Sequence, residues 1–567
     1  MQNYPDFPNL PAMMLGLARR WPHRPMLRYH RDGAWRSIPW GQFGRLAAIC
    51  ARDLQAAGVA PGDRVLIVAD NRPEYSVAEV ALMAIRAIPV PTYTSNTVAD
   101  HAHVIGDCGA TLAIAGNVAQ AERLAETGLL ERQIILDDTG WATAAHDNSS
   151  GDLDLDILTA QADGIGPGAL ACLIYTSGTG GAPKGVMLSH AAILSNCRGA
   201  FELLRPLKLQ DEIYLSFLPL SHAYEHTVGQ YFLTSIGSEL VYSRGAEHLA
   251  IDMRTVRPTV MTVVPRVLEV IHARVLTQLR HEPRWRQALF RRALAIGLDR
   301  LDGKPLSMFD RLLDPLLDRL VRTKMRARFG GRLKGVMSGG ARLEPQIGRF
   351  FLALGLRILQ GYGQTEAGPV ISANPPDAIR IDTVGIVLEG VDLRIAEDGE
   401  ILVRGDLMMI GYWGQPAATD AAIRDGWLHT GDIGELDADG YLRITDRKRD
   451  LIVLSSGDNV SPARIEGMLI AEPEIAQAVV GGEGQAGLSA LLVPADGFDD
   501  SAVAGAVSRV NQRLAVTERI RKHAIVVAFT VENGLLTPTQ KIRRQAVLER
   551  FAAGQTDHSP APVRPEL

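Results

Sequence analysis

Residues Cys172 to His190 read CLIYTSGTGGAPKGVMLSH, an apolar run followed by hydroxyls, glycines and one lysine. Cys172, Leu173, Ile174 and Tyr175 have the pattern of a buried strand. The strand empties into Thr176, Ser177, Gly178, Thr179, Gly180, Gly181, Ala182, Pro183 and Lys184, a loop whose chemistry suits phosphate. Glycines let backbone N–H groups turn toward an anion with no Cβ in the way, hydroxyls add donors, and Lys184 supplies a point charge. A P-loop of the NTPase kind needs G-x-x-x-x-G-K-[ST] opening a helix. Here Pro183 precedes the lysine and Gly185 follows it, so no hydroxyl stands where Mg²⁺ would be held and no helix is expected to start. The purely structural alternative is a glycine-rich hairpin.

A chain of 567 residues, 46% hydrophobic, has material for several cores, and the length suggests three or four units. A net charge of -5 argues against a general nucleic-acid binder, which would carry a basic excess. The charge is uneven: Arg266 to Lys334 holds seventeen Lys/Arg against seven Asp/Glu. Cys50, Cys108, Cys172 and Cys197 show no C-x-x-C spacing, so a reduced, cytoplasmic thiol set is expected. The N-terminus places its charge after a short apolar patch, the reverse of a signal peptide. The most apolar later segment, Val77 to Val90, is interrupted by Glu79, Arg86 and Pro89 and is too short to span a bilayer.

Residues 38–170 alternate strand and helix patterns, with a strand over Arg64–Ala69 and a helix from Glu74 to Ile88, favouring a layered α/β unit with parallel strands. Asp137 to Gly168, rich in Asp, Gly, Ser and Ala, reads as a surface loop. Leu215 to His222 reads as a strand running into a polar turn. The following HAYEH, His222 to His226, matches the H-x-x-E-H pattern of one zinc-peptidase class, but five residues match easily by chance and no further acidic ligand is identifiable. In the basic stretch, Phe309, Leu312, Leu313, Leu316, Leu317, Leu320 and Val321 recur at helical spacing. Asp314 and Pro315 fit the N-cap and first position of a new helical segment. The plain reading of this stretch is a helical insertion with a solvated charged face.

Two strand-then-glycine motifs follow, Lys334 to Ala341 with Gly339 and Gly340, and Arg357 to Glu366 with Gly361, Tyr362, Gly363 and Thr365. Short strands and turns fill Gly399 to Leu454, including Asp432 in HTGD and Arg447 in RKRD. A C-terminal unit contains LLTPTQKI with Lys541.

The loop at 176–185 and these later motifs, in this order from roughly Gly62 to Ile542, resemble the adenylate-forming superfamily of acyl-CoA synthetases, luciferases and adenylation domains. The basic, leucine-rich insertion is similar to that of its long-chain fatty-acyl members. The resemblance implies an α/β fold: a large N-terminal domain over 1–448 of layered α/β subdomains plus a β-rich one, with the insertion at about 266–334. It further implies a small, mobile α+β domain over 449–553 that carries a catalytic lysine. Residues 554–567, with three prolines, are expected to be a disordered tail.

Carried over position by position, the resemblance implies an ATP/AMP site of Thr176, Ser177, Gly178, Thr179, Lys184, Gly339, Gly340, Ala341, Gly361, Tyr362, Gly363, Asp432 and Arg447. Tyr362 stacks on adenine, Thr365 meets the α-phosphate, Glu366 holds Mg²⁺ and Asp432 receives the ribose hydroxyls. His222 contacts the substrate carboxylate, Lys541 acts in adenylation, Arg449 is the hinge and Gly457 lies in the loop on the coenzyme A side. Gly180 stands where relatives often carry a second threonine, Gln540 where they often carry glycine, and Arg449 where many have Lys or Asp. The implied activity joins a long-chain fatty acid to coenzyme A through an acyl-adenylate, with ATP and Mg²⁺. The other readings are a ligase that loads a carrier protein, a synthetase for a medium-chain or aromatic acid, a zinc hydrolase on HAYEH, and a catalytically silent nucleotide-binding protein. Fatty acid, ATP and coenzyme A are the expected partners, with weak contact at an anionic membrane on its inner face and a homodimer as the expected assembly.

Overall fold

The computed structural model describes residues 3–142, 148–176, 182–448, 450–455, 459–531, 533–537 and 542–552. The first layered unit holds a four-stranded parallel sheet in the order Ile88–Pro91, Arg64–Val68, Leu112–Ala115, Arg132–Ile135. The helix expected over 74–88 is Pro73–Ala84, and the chain turns at Arg86 (φ 61°) to begin the next strand at Ile88. That strand carries two prolines and lies at the sheet edge, where a missing N–H interrupts no ladder.

The large sheet has nine strands in the order Ile386–Val387, Val370–Ala373, Ile358–Gly363, Gly335–Ser338, Val260–Val263, Ile213–Ser216, Glu239–Tyr242, Pro25–Arg31, Ala34–Pro39. Its six central strands are parallel and both edges are extended by antiparallel pairs, so this sheet is mixed. Leu170–Thr176 and Lys184–Ser189 form an antiparallel hairpin that pairs Thr176 with Lys184, and Gly411–Tyr412 adds a third strand. No helix starts at Lys184, as the sequence required. A β-rich unit follows, with Asp392–Ile395, Glu400–Arg404, Trp427–Leu436, Ile423–Arg424 and Leu442–Arg447 in one antiparallel sheet. Beyond it, Ile475–Gly481, Leu488–Pro494 and Ile520–Ile525 make a three-stranded sheet under Pro462–Ile470 and Asp500–Gln512, with an apolar cluster of its own that includes Ile465, Val480, Leu492 and Val507. The α/β fold class, with a large N-terminal part and a small α+β C-terminal part, is borne out. All four cysteines are buried and free.

Two expectations are corrected. Within 137–168, read as loop, Asn148–Asp163 is a helix. Leu155, Leu158 and Ala162 fall on one face and are buried, and Leu155 sits against Gly44 in the helix Trp40–Ala56. Asn9, fully buried, caps the helix Leu10–Arg20 and donates to the carbonyls of Ala162 and Ile165, tying the two ends together. Polar composition hid a three- and four-residue spacing. The second correction is at Asp314-Pro315, which starts no segment: Met308–Leu317 runs through Pro315, capped instead by Ser307. Asp314 is consumed in ion pairs with Arg300 (2.7 Å) and Arg322 (2.8 Å).

The helical layer of Pro265–Arg280, Arg284–Leu301, Met308–Leu317 and Thr323–Arg328 rests on Pro345–Ala353. Arg322, almost fully buried, donates to the carbonyls of Ala293 and Ala353 as well as to Asp314. Gly297 permits the close approach, since a Cβ there would lie 2.2 Å from the Ala353 carbonyl oxygen. Gly297→Ala must push the two helices apart, at a cost of about 1–3 kcal/mol. Calorimetry should show a lowered melting transition, and an unchanged one would remove this contact as a determinant of the layer.

Candidate active site

The carboxyl ends of Gly335–Ser338 and Ile358–Gly363 open on a cleft of about 1250 Å³, the usual ligand position of a parallel sheet. Gly339, Gly340 and Ala341 turn the chain at its floor, with Gly340 at φ 80°. The Tyr224 hydroxyl donates to the Met337 carbonyl at 3.0 Å, and the Tyr224 ring closes over Gly339, where a Cβ would be 3.2 Å from it. Ala200, Leu203, Leu204, Val228, Val384 and Leu388 give part of the wall an apolar lining.

Tyr362, at the end of its strand, donates its hydroxyl to Asp432 Oδ2 at 2.7 Å, and Arg447 Nε reaches Oδ1 at 3.1 Å. Asp432 and Arg447 are partners in the register of neighbouring antiparallel strands, which is why two residues fifteen apart meet. Burial, then the Asp432 charge, pushes the Tyr362 phenol up. Beneath them Glu400 accepts from the Gly431 N–H (2.9 Å) and Lys448 (3.1 Å) and contacts His429 (3.1 Å). Burial would raise the Glu400 carboxyl, but His429, Lys448 and Gly431 together hold it below its usual value.

Thr365 and Glu366 begin a 3₁₀ turn after Gly363. Glu366 Oε1 accepts from the Tyr412 hydroxyl at 2.9 Å, and the Lys184 ammonium sits 4.7 Å from the centre of the Tyr412 ring. Lys184, Tyr412 and Glu366 therefore form one string across the cleft. His222 lines the same cleft, and its Nδ1 accepts the Tyr224 N–H at 3.2 Å, so the neutral ring carries its proton on Nε2.

The structure thus gathers Thr176, Lys184, His222, Gly339, Gly340, Ala341, Gly361, Tyr362, Gly363, Thr365, Glu366, Asp432 and Arg447 around one cleft. Ser177, Gly178, Thr179, Arg449, Gly457 and Lys541, and the tail 554–567, lie outside the described residues. Ile542, the residue after Lys541, lines the cleft. Tyr412 and Glu400 were missed by the sequence reading, and Lys448 was read only as part of RKRD. Nothing local pointed to Glu400, which merely precedes the apolar run Ile401 to Val403, or to Tyr412.

Of HAYEH, His222 lines the cleft, whereas Glu225 and His226 are structural. Glu225 is fully buried and accepts from Tyr214 (2.6 Å), Thr262 (2.8 Å) and Ser216, while buried His226 Nε2 lies 2.9 Å from Glu79 Oε1. Glu225–Phe232 winds as a π-helix, and Gly229 is needed because a Cβ there would stand 2.7 Å from the Glu225 carboxylate. Among the described residues no group of three or more His, Cys, Asp or Glu could hold a metal ion.

A mixed-sheet α/β unit with tyrosine, two carboxylates and basic groups converging at its strand ends defines a nucleotide-binding enzyme. Residues 17–413 match the AMP-binding enzyme family and 449–554 match the AMP-binding enzyme C-terminal domain. The chain belongs to the AMP-binding enzyme family. It is 32% identical to the long-chain-fatty-acid–CoA ligase FadD15 of Mycobacterium tuberculosis over 96% of each chain. A feruloyl-CoA synthase of Amycolatopsis sp is 31% identical over 85% of this chain and 87% of its own. Among solved structures, ATP-bound MatB from Rhodopseudomonas palustris superposes with a TM-score of 0.71 at 23% identity, covering 95% of this chain and 99% of that one. MenE from Bacillus subtilis, in complex with ATP and magnesium, gives 0.70 at 19% identity over 94% and 98%.

Burial raises Glu225 to about 7, against the lowering effect of hydrogen bonds from Ser216, Tyr214 and Thr262. A carboxyl raised in the folded state contributes stability that is complete below the unfolded value of 4.5 and is lost as pH rises through about 7. Glu225→Gln removes this titration. Its melting temperature relative to the parent protein should climb between pH 4.5 and about 7 and then level off; a constant difference would mean that Glu225 is ionised throughout.

Proposed function

We propose that this enzyme activates a long-chain fatty acid with ATP, releasing pyrophosphate and forming an acyl-adenylate, and then transfers the acyl group to coenzyme A with loss of AMP. The observation that carries this reading is a single cleft in which an apolar wall adjoins the Tyr362–Asp432–Arg447 and Lys184–Tyr412–Glu366 groups. A carboxylate is a poor acyl donor because oxide is its leaving group, and adenylation replaces oxide with AMP. The carboxylate oxygen attacks the α-phosphorus and the bond to pyrophosphate breaks.

The adenine lies along Gly339, Gly340 and Ala341 against Tyr362, whose ring is held by its hydrogen bond to Asp432. Each Asp432 oxygen keeps a lone pair for a ribose hydroxyl after bonding Tyr362 and Arg447. Thr176, Ser177, Gly178, Thr179 and Lys184 hold the phosphates, with Thr365 at the α-phosphate and Gly361 and Gly363 leaving room for it. His222 Nε2–H donates to the acid. Lys541 stabilises charge at the first step, and rotation about Arg449 exchanges it for Gly457 at the second. The domain limits 1–448 and 449–553 follow from that pivot.

Glu366 fits a hard cation. One oxygen is held by Tyr412, and the other takes no hydrogen bond from a described residue. Glu366 would hold Mg²⁺ there, which would supply neutralisation of phosphate charge. Free buried thiols and the basic excess of 266–334 support a cytoplasmic enzyme with peripheral contact at an anionic membrane.

A second reading, an aromatic acid as substrate, is favoured by the likeness to feruloyl-CoA synthase. Pyrophosphate release measured on straight-chain acids and on ferulate, with and without coenzyme A, separates them. Each enclosed CH₂ is worth about 0.8 kcal/mol, so kcat/KM should rise from hexanoate toward acids of about twelve to eighteen carbons. A flat profile refutes the long-chain reading, a preference for ferulate establishes the aromatic one, and adenylation without thioester formation points to a carrier-protein acceptor. Glu366→Gln should move the Mg²⁺ titration to higher concentration, since a carboxylate ligand becomes neutral. An unchanged titration would take Glu366 out of the site.

A further inference from the structure

The helical layer carries a surface that the proposed chemistry does not use. Along Met308–Leu317 and the turn after it, Met308, Phe309, Leu312, Leu316 and Leu320 are 74, 69, 78, 50 and 39% exposed. Positions 308, 312, 316 and 320 recur every fourth residue and lie on one stripe, with Phe309 beside it. The opposite, inner face is the charged one. It presents Asp310, Asp314 and Leu317 to the layer beneath, where Asp310 pairs with Arg292, and Asp314 with Arg300 and Arg322. The helix cannot roll its leucines inward without breaking those ion pairs, so the apolar stripe is fixed outward.

Basic groups surround it. Arg311, Arg319, Lys324 and Arg328 are exposed, and none has an acidic partner among the described residues. A second copy of the chain seated here would set the unpaired Arg311 and Arg319 of one copy against those of the other. An anionic bilayer offers the opposite: phosphates for the arginines and hydrocarbon for the leucines. The layer that carries this face packs on a helix of the cleft, since Gly297 closes on Ala353, and Pro345, at the other end of that helix, lines the cleft.

We propose that this stripe docks the enzyme on an anionic lipid bilayer, with Met308, Phe309, Leu312, Leu316 and Leu320 entering the acyl boundary and Arg311 and Arg319 meeting headgroup phosphates. The inference rests on the long-chain reading for its purpose, because an acid with a long alkyl chain resides in the bilayer.

The test is co-sedimentation of the full chain with vesicles of phosphatidylcholine alone and of phosphatidylcholine containing one-third phosphatidylglycerol. The parent protein should bind the mixed vesicles about tenfold or more tighter than the neutral ones, and Leu312→Ser/Leu316→Ser and Arg311→Glu/Arg319→Glu should each lose about tenfold or more. Pyrophosphate release from dissolved octanoate, without vesicles, should stay within about twofold for both variants, which also shows that they fold. The proposal is overturned if the parent does not sediment with mixed vesicles or binds neutral ones equally. It is equally overturned if the leucine variant binds as the parent does, or if that variant turns a dimer into monomers in sedimentation velocity while vesicle binding is unchanged. Vesicle binding lost in the variants beside a flat chain-length profile would uphold the docking face and remove only the long-chain reading.

Discussion

The carboxylate of Asp432 is the point on which the site depends. Tyr362 reaches it from the end of the nine-stranded sheet, and Arg447 reaches it from the last residue of a strand in the β-rich sheet. Only 4% of Asp432 is exposed, and burying a carboxylate that far from water costs free energy unless a cation and hydrogen-bond donors meet it. One charge therefore sets the distance between two sheets. Glu400 braces it from below through Gly431, Lys448 and His429, so the turn that presents Asp432 is held before any ligand arrives. A site assembled in this way needs little reorganisation when phosphate charge enters it.

Behind the wall of the same cleft, carboxyls are used differently. Among the described residues Glu225 has only hydroxyl donors, Tyr214, Ser216 and Thr262, and no cation, so burial moves it toward the neutral form. Its hydrogen bonds pin the π-helix whose residues Tyr224 and Val228, at and beside its start, face the cleft. The contrast between Asp432 and Glu225 is one of partners rather than of depth. The zinc-peptidase pattern is divided among other duties, since Glu225 is held by two strands, His226 by Glu79, and His222 lines the cleft.

Local motifs carried much of the site into the sequence reading. Strand-then-glycine patterns at 335–341 and 358–366 correctly gave the ends of two parallel strands, because both strand and turn are encoded within ten residues. What pairing brings together was not readable. Tyr412 meets Glu366 only because Gly411–Tyr412 joins the edge of the Lys184–Ser189 strand, and no spacing in one dimension announces that. The helix Asn148–Asp163 was lost to its Asp, Ser and Gly content, although Leu155, Leu158 and Ala162 carry its buried stripe. Pro315 misled in the other direction, since a proline on an exposed helix face removes a hydrogen bond that water can replace.

The helix Met308–Leu317 inverts the ordinary rule of amphipathic helices. A spacer helix in water would turn its leucines inward, gaining about 1.5–3 kcal/mol for each side chain fully buried. Here that gain is forgone at Phe309, Leu312 and Leu316, while Asp310 and Asp314 occupy the inner face at the expense of arginines drawn in to neutralise them. Such an arrangement is poor for stability and good for register, because ion pairs have one geometry whereas leucines repack. The layer thereby keeps an apolar row facing away from the protein and a packed contact facing toward the cleft, through Gly297 and Ala353. A substrate with a charged head and an apolar tail calls for the same division. Asp432 and Glu366 organise the side that handles phosphate, and the exposed leucines give the helical layer an affinity for hydrocarbon that a sheet of charged residues could not supply.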